Sequence, residues 1–162
     1  MWLHLGTELK YALAFALLAY GHAHAGLIPD EHREDLVQQI LRVFWGKAKL
    51  PGGQFVQPAS EEERTTVPIS KAAAHRVIDA GEISGLGEWC KLDWERHYLS
   101  LTRAARAGGF TDKQVAFVSV LHGAAQGVVA SAMAKRGECN AEDRDRIDEM
   151  LKQSTGRGLD GN

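Results

Sequence analysis

The chain has 162 residues, enough for one domain with a substantial core but too few for two. Its 19 Lys and Arg residues against 21 Asp and Glu residues leave a formal net charge of −2, so composition predicts neither a nucleic-acid-binding surface nor an acidic tail. Hydrophobic residues at 44% and charged residues at 25% are typical of a globular protein.

The N-terminus has the pattern of an export signal. Lys10 precedes an apolar run at residues 11–20, and the sequence Ala23-His-Ala25 then forms an A-x-A cleavage site. We therefore expect a signal peptide over residues 1–25 that is removed during export to the periplasm or to the outside of the cell. The alternative is a segment that stays attached as an anchor, although its apolar run is too short to span a bilayer alone.

The first part of the mature chain is predicted to be a helix followed by a long loop. Residues 29–46 place apolar side chains at three- and four-residue spacing behind an acidic first turn, which predicts an amphipathic helix. Residues 47–68 are rich in Pro and Gly and predict a long loop that is either functional or disordered. Within that loop, Ser60 and Glu63 have the spacing of a capping box and indicate one helical turn.

The next stretch is predicted to be a short helix and a connector. Residues 69–80 have a helical pattern with Ser70 as the N-cap residue, and we place the end of this helix at Gly81. Residues 81–87 contain three glycines, which predicts a connection without regular structure.

A pair of long helices forms the predicted centre of the fold. Helical patterns at about residues 89–107 and 112–136 flank a turn at Gly108 and Gly109, and Thr111 starts the second helix with a capping box. Helices joined by so short a turn run antiparallel. We therefore expect an all-α domain of four or five helices built around this αα-hairpin.

The second helix of the hairpin carries no charge between Lys113 and Lys135, a run long enough to cross a membrane. Polar residues near its middle, His122 among them, are costly in hydrocarbon and favour a buried core helix. The membrane alternative would place residues 11–25 and 114–134 in the bilayer.

The same helix repeats small residues at every fourth position, namely Gly123, Gly127 and Ser131. Such a stripe lets the backbone of another helix approach closely. We interpret it as a helix-contact surface.

The two cysteines, Cys90 and Cys139, predict one disulfide, because exported proteins fold in an oxidising compartment. Straight helices would hold these residues too far apart for a bond. The bridge therefore requires the chain to fold back after the long helix, and Gly137 permits such a reversal.

The chain ends in a predicted amphipathic helix after Asn140, followed by a polar, glycine-rich tail. The predicted helical domain thus covers residues 26–154, with residues 155–162 as a flexible tail.

Candidate catalytic and metal-binding residues are few. The chain has no Gly-x-Ser-x-Gly elbow and no phosphate-binding glycine loop, so we assign no catalytic residue and no cofactor. His97 and His122 are the candidate metal ligands, although their spacing matches no ligand motif. Together with Asp93 or Tyr98, they could serve a small metal- or haem-binding protein or an enzyme.

Three aromatic residues, Trp89, Trp94 and Tyr98, are expected to cluster beside Cys90. The simpler interpretation is a core packed on the disulfide, and the alternative is the edge of a binding groove.

The sequence therefore predicts an exported, non-catalytic helical protein that binds or supports a protein partner in the cell envelope. A metal- or haem-binding protein and a membrane-anchored helical subunit are the two alternatives. The identity of the partner does not follow from the sequence.

Overall fold

The computed structural model describes residues 26–155 and 157–159, so the predicted signal peptide lies outside the described residues. The described chain is an all-α bundle, as predicted. Its helices, in chain order, are α1 (Asp30–Phe44), α2 (Glu61–Thr65), α3 (Lys71–Trp89), α4 (Trp94–Ala107), α5 (Asp112–Arg136) and α6 (Ala141–Ser154).

Helix α3 lies at the centre of this bundle. It packs most extensively on α5, and it also contacts α1, α4 and α6. Its residues 81–87 are all buried, and Val77 and Ile78 are fully inaccessible to solvent. From α5, Phe117, Val118 and Leu121 fill the other side of this core. The two most apolar helices therefore bury each other, as apolar surface requires in water.

Two helix boundaries differ from the prediction. Helix α3 does not end at Gly81 but continues to Trp89, and α4 begins only at Trp94. The predicted connector is helical because two of its three glycines, Gly81 and Gly85, face α5, where a β-carbon on Gly81 would stand 2.6 Å from the backbone oxygen of His122. The contact between the helices outweighs the weak helix propensity of glycine. Residues 90–93, predicted to be helical, form the turn between α3 and α4.

Helices α4 and α5 form the predicted hairpin. The Thr111 hydroxyl accepts a hydrogen bond from the backbone N–H of Gln114 at 3.3 Å, and the Gln114 side chain accepts one from the N–H of Thr111 at 2.9 Å. The predicted capping box is therefore confirmed. The turn passes through Gly109, whose φ of +82° favours glycine.

The long loop between α1 and α3 is ordered and tied to the bundle at several points. Its first part folds into a turn in which Val56 is fully buried, whereas the neighbouring Phe55 is 51% exposed. The short helix α2 is capped by Ser60, the residue before its first turn, whose hydroxyl accepts a hydrogen bond from the N–H of Glu63 at 3.1 Å. The Glu63 carboxylate then bonds the ammonium of Lys113 at 2.8 Å, which joins the loop to the start of α5. The loop thus serves as packed structure within the described chain.

The predicted disulfide joins Cys90 and Cys139, with their Cα atoms 5.2 Å apart. The chain reverses after α5 at Gly137, whose φ is +124°. The Trp89 indole N–H donates to the carbonyl of Gly137 at 2.7 Å, and Arg144 donates to the carbonyl of Cys90 at 2.6 Å. The bridge therefore fixes the end of α3 to the segment that leads into α6.

Candidate functional site

One side of α5 faces solvent and carries no charge over most of its length. Gly123, Gly127 and Ser131 are all exposed, and Val128 beside them is 51% exposed. A β-carbon built on either glycine meets no atom within 4 Å. We call this surface, defined by Gly123, Gly127, Val128 and Ser131, the small-residue face. Among the described residues, the space over this face is open and leaves room for a second backbone.

By length and composition, α5 is also the single helix among the described residues that could cross a membrane. Half of the most apolar 18-residue stretch of α5 is buried inside the fold against other helices. The core contacts of α5 explain the buried half. They do not explain why the outer half is uncharged as well.

A groove of about 410 Å³ lies beside the small-residue face, between α4 and α5. Its lining combines apolar and polar side chains: Trp94, Glu95, Tyr98, Leu99, Ser119, His122, Gly123 and Gln126. Leu99 on its rim is 53% exposed and adds to the apolar surface of the groove. Most of the exposed surface of the groove is apolar, as expected of a site that binds an apolar group.

His122 and Tyr98 line the side of the groove that is nearest to the core. Their ring centroids are 4.9 Å apart. The Tyr98 hydroxyl donates to Ser119 Oγ at 2.9 Å, and Ser119 in turn donates to the carbonyl of Val115. The aromatic ring is thereby held in one orientation between α4 and α5.

Behind this side of the groove, a chain of hydrogen bonds crosses the core. Ser84 Oγ lies 3.0 Å from His122 Nε2 and 2.9 Å from His97 Nδ1, and His97 Nε2 lies 2.7 Å from Ser154 Oγ. A hydroxyl has one proton, so Ser84 donates to at most one of the two imidazoles and accepts an N–H from at least one of them. We call this chain the histidine relay, defined by His122, Ser84, His97 and Ser154.

Both histidines of the relay are neutral at pH 7. Burial lowers the pKa of His97 to about 4 because a charged imidazole would lose its hydration. Burial is also the main cause that lowers the pKa of His122 to about 4, and the nearby His97 adds to the effect. Their side chains are 3% and 1% exposed, respectively. The relay therefore satisfies buried polar groups without placing charge in the core.

The relay does not have the geometry of a nucleophilic site. Ser84 is fully buried, so its hydroxyl has no access to a substrate in the groove. Within residues 26–155 and 157–159, no carboxylate bonds either imidazole, and Asp93 caps α4 by accepting from the N–H of Arg96 at 3.3 Å. The Asp93 carboxylate is thus held at the start of α4 and makes no hydrogen bond to His97.

The arrangement of His97 and His122 does not favour a metal site. The structure brings His97 and His122 together, but the Ser84 hydroxyl lies between them and is hydrogen-bonded to His97 Nδ1 and to His122 Nε2. Over residues 26–155 and 157–159, no three His, Cys, Asp or Glu side chains converge in a set that could hold a metal ion. Two imidazoles joined through a hydroxyl form a hydrogen-bond network and lack the further ligands that a zinc or iron site needs.

The three predicted aromatic residues serve two places in the fold. Trp89 supports the turn at Gly137 next to the disulfide, whereas Trp94 and Tyr98 line the groove. The three residues that were expected to cluster beside Cys90 are therefore divided between two places in the fold.

Sequence reasoning missed two buried polar residues of α3, Ser84 and Glu82. Both lie in the stretch predicted to be a connector, where a polar side chain needs no buried partner. The four-residue spacing of Gly81 and Gly85 was the available signal, since it is the same pattern that marked α5.

No known protein family, no curated protein and no solved structure matches this chain. Its function is therefore inferred from the chemistry of the groove and of the small-residue face.

Proposed function

We propose that this chain is an exported, disulfide-bonded helical protein that binds an apolar helix of a protein partner along the α4–α5 groove. The observation that carries the proposal is the uncharged, solvent-facing side of α5, where Gly123 and Gly127 leave open space. A soluble helix normally places charged side chains on such a side. A surface kept free of charge and bulk over several turns suits close contact with another helix.

The occupant is a helix because of the hydrogen-bonding needs of a backbone. An extended segment would need a strand edge to pair its N–H and C=O groups, and α4 and α5 offer none. A helix satisfies its own backbone and contributes one apolar face to the groove. Its side chains would contact Trp94, Tyr98 and Leu99, while its backbone approaches α5 over the two glycines.

Two features support a periplasmic or secreted location. Residues 1–25 have the composition and the A-x-A ending of a signal peptide. The Cys90–Cys139 bond is of the kind that persists in an oxidising compartment and is rare in the cytosol.

Site-specific photocrosslinking in the cell envelope tests the proposal. A photoreactive residue placed at Gly127 or at Leu99 should capture the same protein, because both positions border the proposed helix. The same residue at Glu149, an exposed position of α6, should not capture it. Equal capture from all three positions, or none from the first two, would contradict the proposed surface.

A matched pair of variants then separates binding from folding. Gly127→Leu adds bulk where the structure has open space, so the fold should be retained while the capture from position 99 falls at least about tenfold. Glu149→Leu, a control of the same size on α6, should leave the capture unchanged. Retention of the protein in the membrane after alkaline extraction, with no protein captured, would instead support the membrane-anchored alternative.

A further inference from the structure

The segment that follows the A-x-A sequence is bound to a buried carboxylate of α3. The backbone N–H groups of Leu27 and Ile28 donate to Glu82 Oε2 and Oε1, at 3.1 and 2.8 Å. From the other side, Arg33 Nε donates to the carbonyl of Ile28 at 3.0 Å. The Glu82 side chain is fully inaccessible to solvent. The chain is therefore fixed in place immediately after Gly26.

Among the residues that the structure describes, the charges around Glu82 are not balanced. The Arg33 guanidinium contacts Glu82 at 3.2 Å and Asp79 at 2.7 Å, so two carboxylates share one cation. Arg33 also lies 3.6 Å from the exposed Asp30. Burial raises the pKa of Glu82, whereas the two N–H donors and Arg33 act in the opposite direction. A second cation at this place would balance the two carboxylates, of which Glu82 is the buried one.

Cleavage of the export signal would supply that cation. Hydrolysis of the Ala25–Gly26 peptide bond consumes one water and leaves a carboxylate on Ala25 and an amine on Gly26. The amine takes up a proton at neutral pH, because an α-amine has an ordinary pKa of about 7.7–8.0. Neighbouring backbone nitrogens lie about 3.6 Å apart at most, so this nitrogen lies within about 7 Å of Glu82 Oε2. Free rotation at the new chain end allows a closer approach.

We propose that a signal peptidase cuts this chain between Ala25 and Gly26, and that the new ammonium group of Gly26 binds the carboxylates of Glu82 and Asp79. The buried carboxylate thus receives the mature N-terminus and fixes it to the helix at the centre of the bundle. This proposal rests on the export part of the proposed function and is independent of the partner-binding groove.

Recovery of the processed protein is the first test. The full chain, with its own first 25 residues, is expressed in a secreting bacterium, and the envelope protein is examined by intact mass and N-terminal sequencing. A mature chain that begins at Gly26 is the expected result. An uncut chain, or a cut elsewhere, would overturn the proposal and leave the photocrosslinking test of the groove unaffected.

Titration of the new N-terminus is the second test. In the recovered protein, isotope-labelled glycine allows NMR to follow the Gly26 amine as pH rises. We expect its pKa to lie at least about one unit above the ordinary range, because an opposite charge nearby favours the charged form. An unshifted amine in a correctly cut protein would overturn the binding of the ammonium group while leaving export intact.

The pH range of the effect follows from the sign of that shift. A raised pKa in the folded state means that stabilisation is present below the unfolded amine's pKa and is lost as pH rises through the folded value. Among the described residues, the charged groups that face Glu82 are Arg33 from α1 and Asp79 from α3.

The Glu82→Gln variant identifies the partner of the amine. It should return the Gly26 pKa to the ordinary range, whereas Glu62→Gln, on the exposed helix α2, should leave the shift unchanged. An equal shift in the wild type and in Glu82→Gln would contradict the assignment. If Glu82→Gln does not fold, Asp79→Asn provides the same comparison at the half-exposed carboxylate, where a reduced shift is expected.

Discussion

Gly81 lies so close to α5 that a β-carbon on it would stand 2.6 Å from the backbone oxygen of His122. One turn later, a β-carbon on Gly85 would stand 2.6 Å from the backbone oxygen of Gln126. Non-bonded carbon and oxygen atoms do not approach to this distance. The separation of the two core helices therefore depends on two positions that lack a side chain.

We expect Gly81→Ala to destabilise the fold. The added methyl group meets backbone on α5, which cannot rotate away, so the helices must separate at a cost of about 1–3 kcal/mol. The matched control is Gly123→Ala, which adds the same group on α5 in open space and should stabilise the fold by about 0.5–1 kcal/mol. Urea unfolding of both variants measures the difference. Equal effects of the two changes would contradict the close approach.

Acid should destabilise the protein through the histidine relay. Because His97 and His122 have pKa values of about 4 in the folded state and about 6.5 when unfolded, the unfolded chain binds more protons between these values. Their contribution to stability is therefore present above pH 6.5, falls as pH drops towards 4, and does not fall further below 4. The slope is up to about 1.4 kcal/mol per pH unit for each histidine. Urea midpoints between pH 7.5 and 4.5 measure it.

Two histidine variants locate that pH dependence. His122→Asn retains a polar side chain opposite Ser84 and should reduce the slope by about half. His32→Gln, on the exposed surface of α1, should leave the slope unchanged. Glu82 acts with the opposite sign, since burial raises its pKa, but it contributes equally to both variants. An undiminished slope in His122→Asn would mean that the relay does not titrate as described.

Removal of Arg33 should be among the most damaging single changes in α1. Arg33→Ala leaves the fully buried Glu82 carboxylate without its guanidinium partner, a loss of about 3–5 kcal/mol. Arg96→Ala removes an exposed ion pair with Asp93 and should have little effect on the free energy of unfolding. The two unfolding curves, measured at pH 7, give the comparison. In the Glu82→Gln background, Arg33→Ala should cost less, because no unpaired charge remains.

The disulfide should contribute strongly to stability. The bond closes a segment with a sequence separation of 49, and loop-closure entropy for that length corresponds to about 4 kcal/mol. The double variant Cys90→Ala, Cys139→Ala should therefore unfold at a much lower urea concentration than the oxidised protein. The reduced wild type should resemble the double variant. A reduced protein as stable as the oxidised one would show that the Trp89 and Arg144 contacts hold this corner without the bond.

The local signals in the sequence predicted the helices whose ends carry their own capping residues. Thr111 with Gln114 fixed the start of α5, and Asn140 accepts from the N–H of Asp143 at 2.8 Å at the start of α6. These contacts lie within a few residues of each other, so short sequence windows contain them. The disulfide was predictable because only two cysteines exist to pair.

The arrangement around α3 depends on contacts that short windows do not contain. Gly81 and Gly85 have the same spacing as Gly123 and Gly127, yet the first pair is buried against a helix and the second faces solvent. A glycine ends a helix or permits close packing according to what lies opposite, which is information held by a distant part of the chain. Ser84 was missed for the same reason, because its partners His97 and His122 lie far from it in the sequence.

The bond between Cys90 and Cys139 makes residues 90–139 a covalent ring that contains the whole of α4 and α5. A pulling force applied to the two ends of the chain passes through the sulfur atoms and bypasses that ring. The ring contains about 170 Å of extended chain, at about 3.5 Å per residue, and pulling would not release this length until the bond is reduced. The groove and the small-residue face lie within this ring, so a force applied to the two chain ends would reach them last.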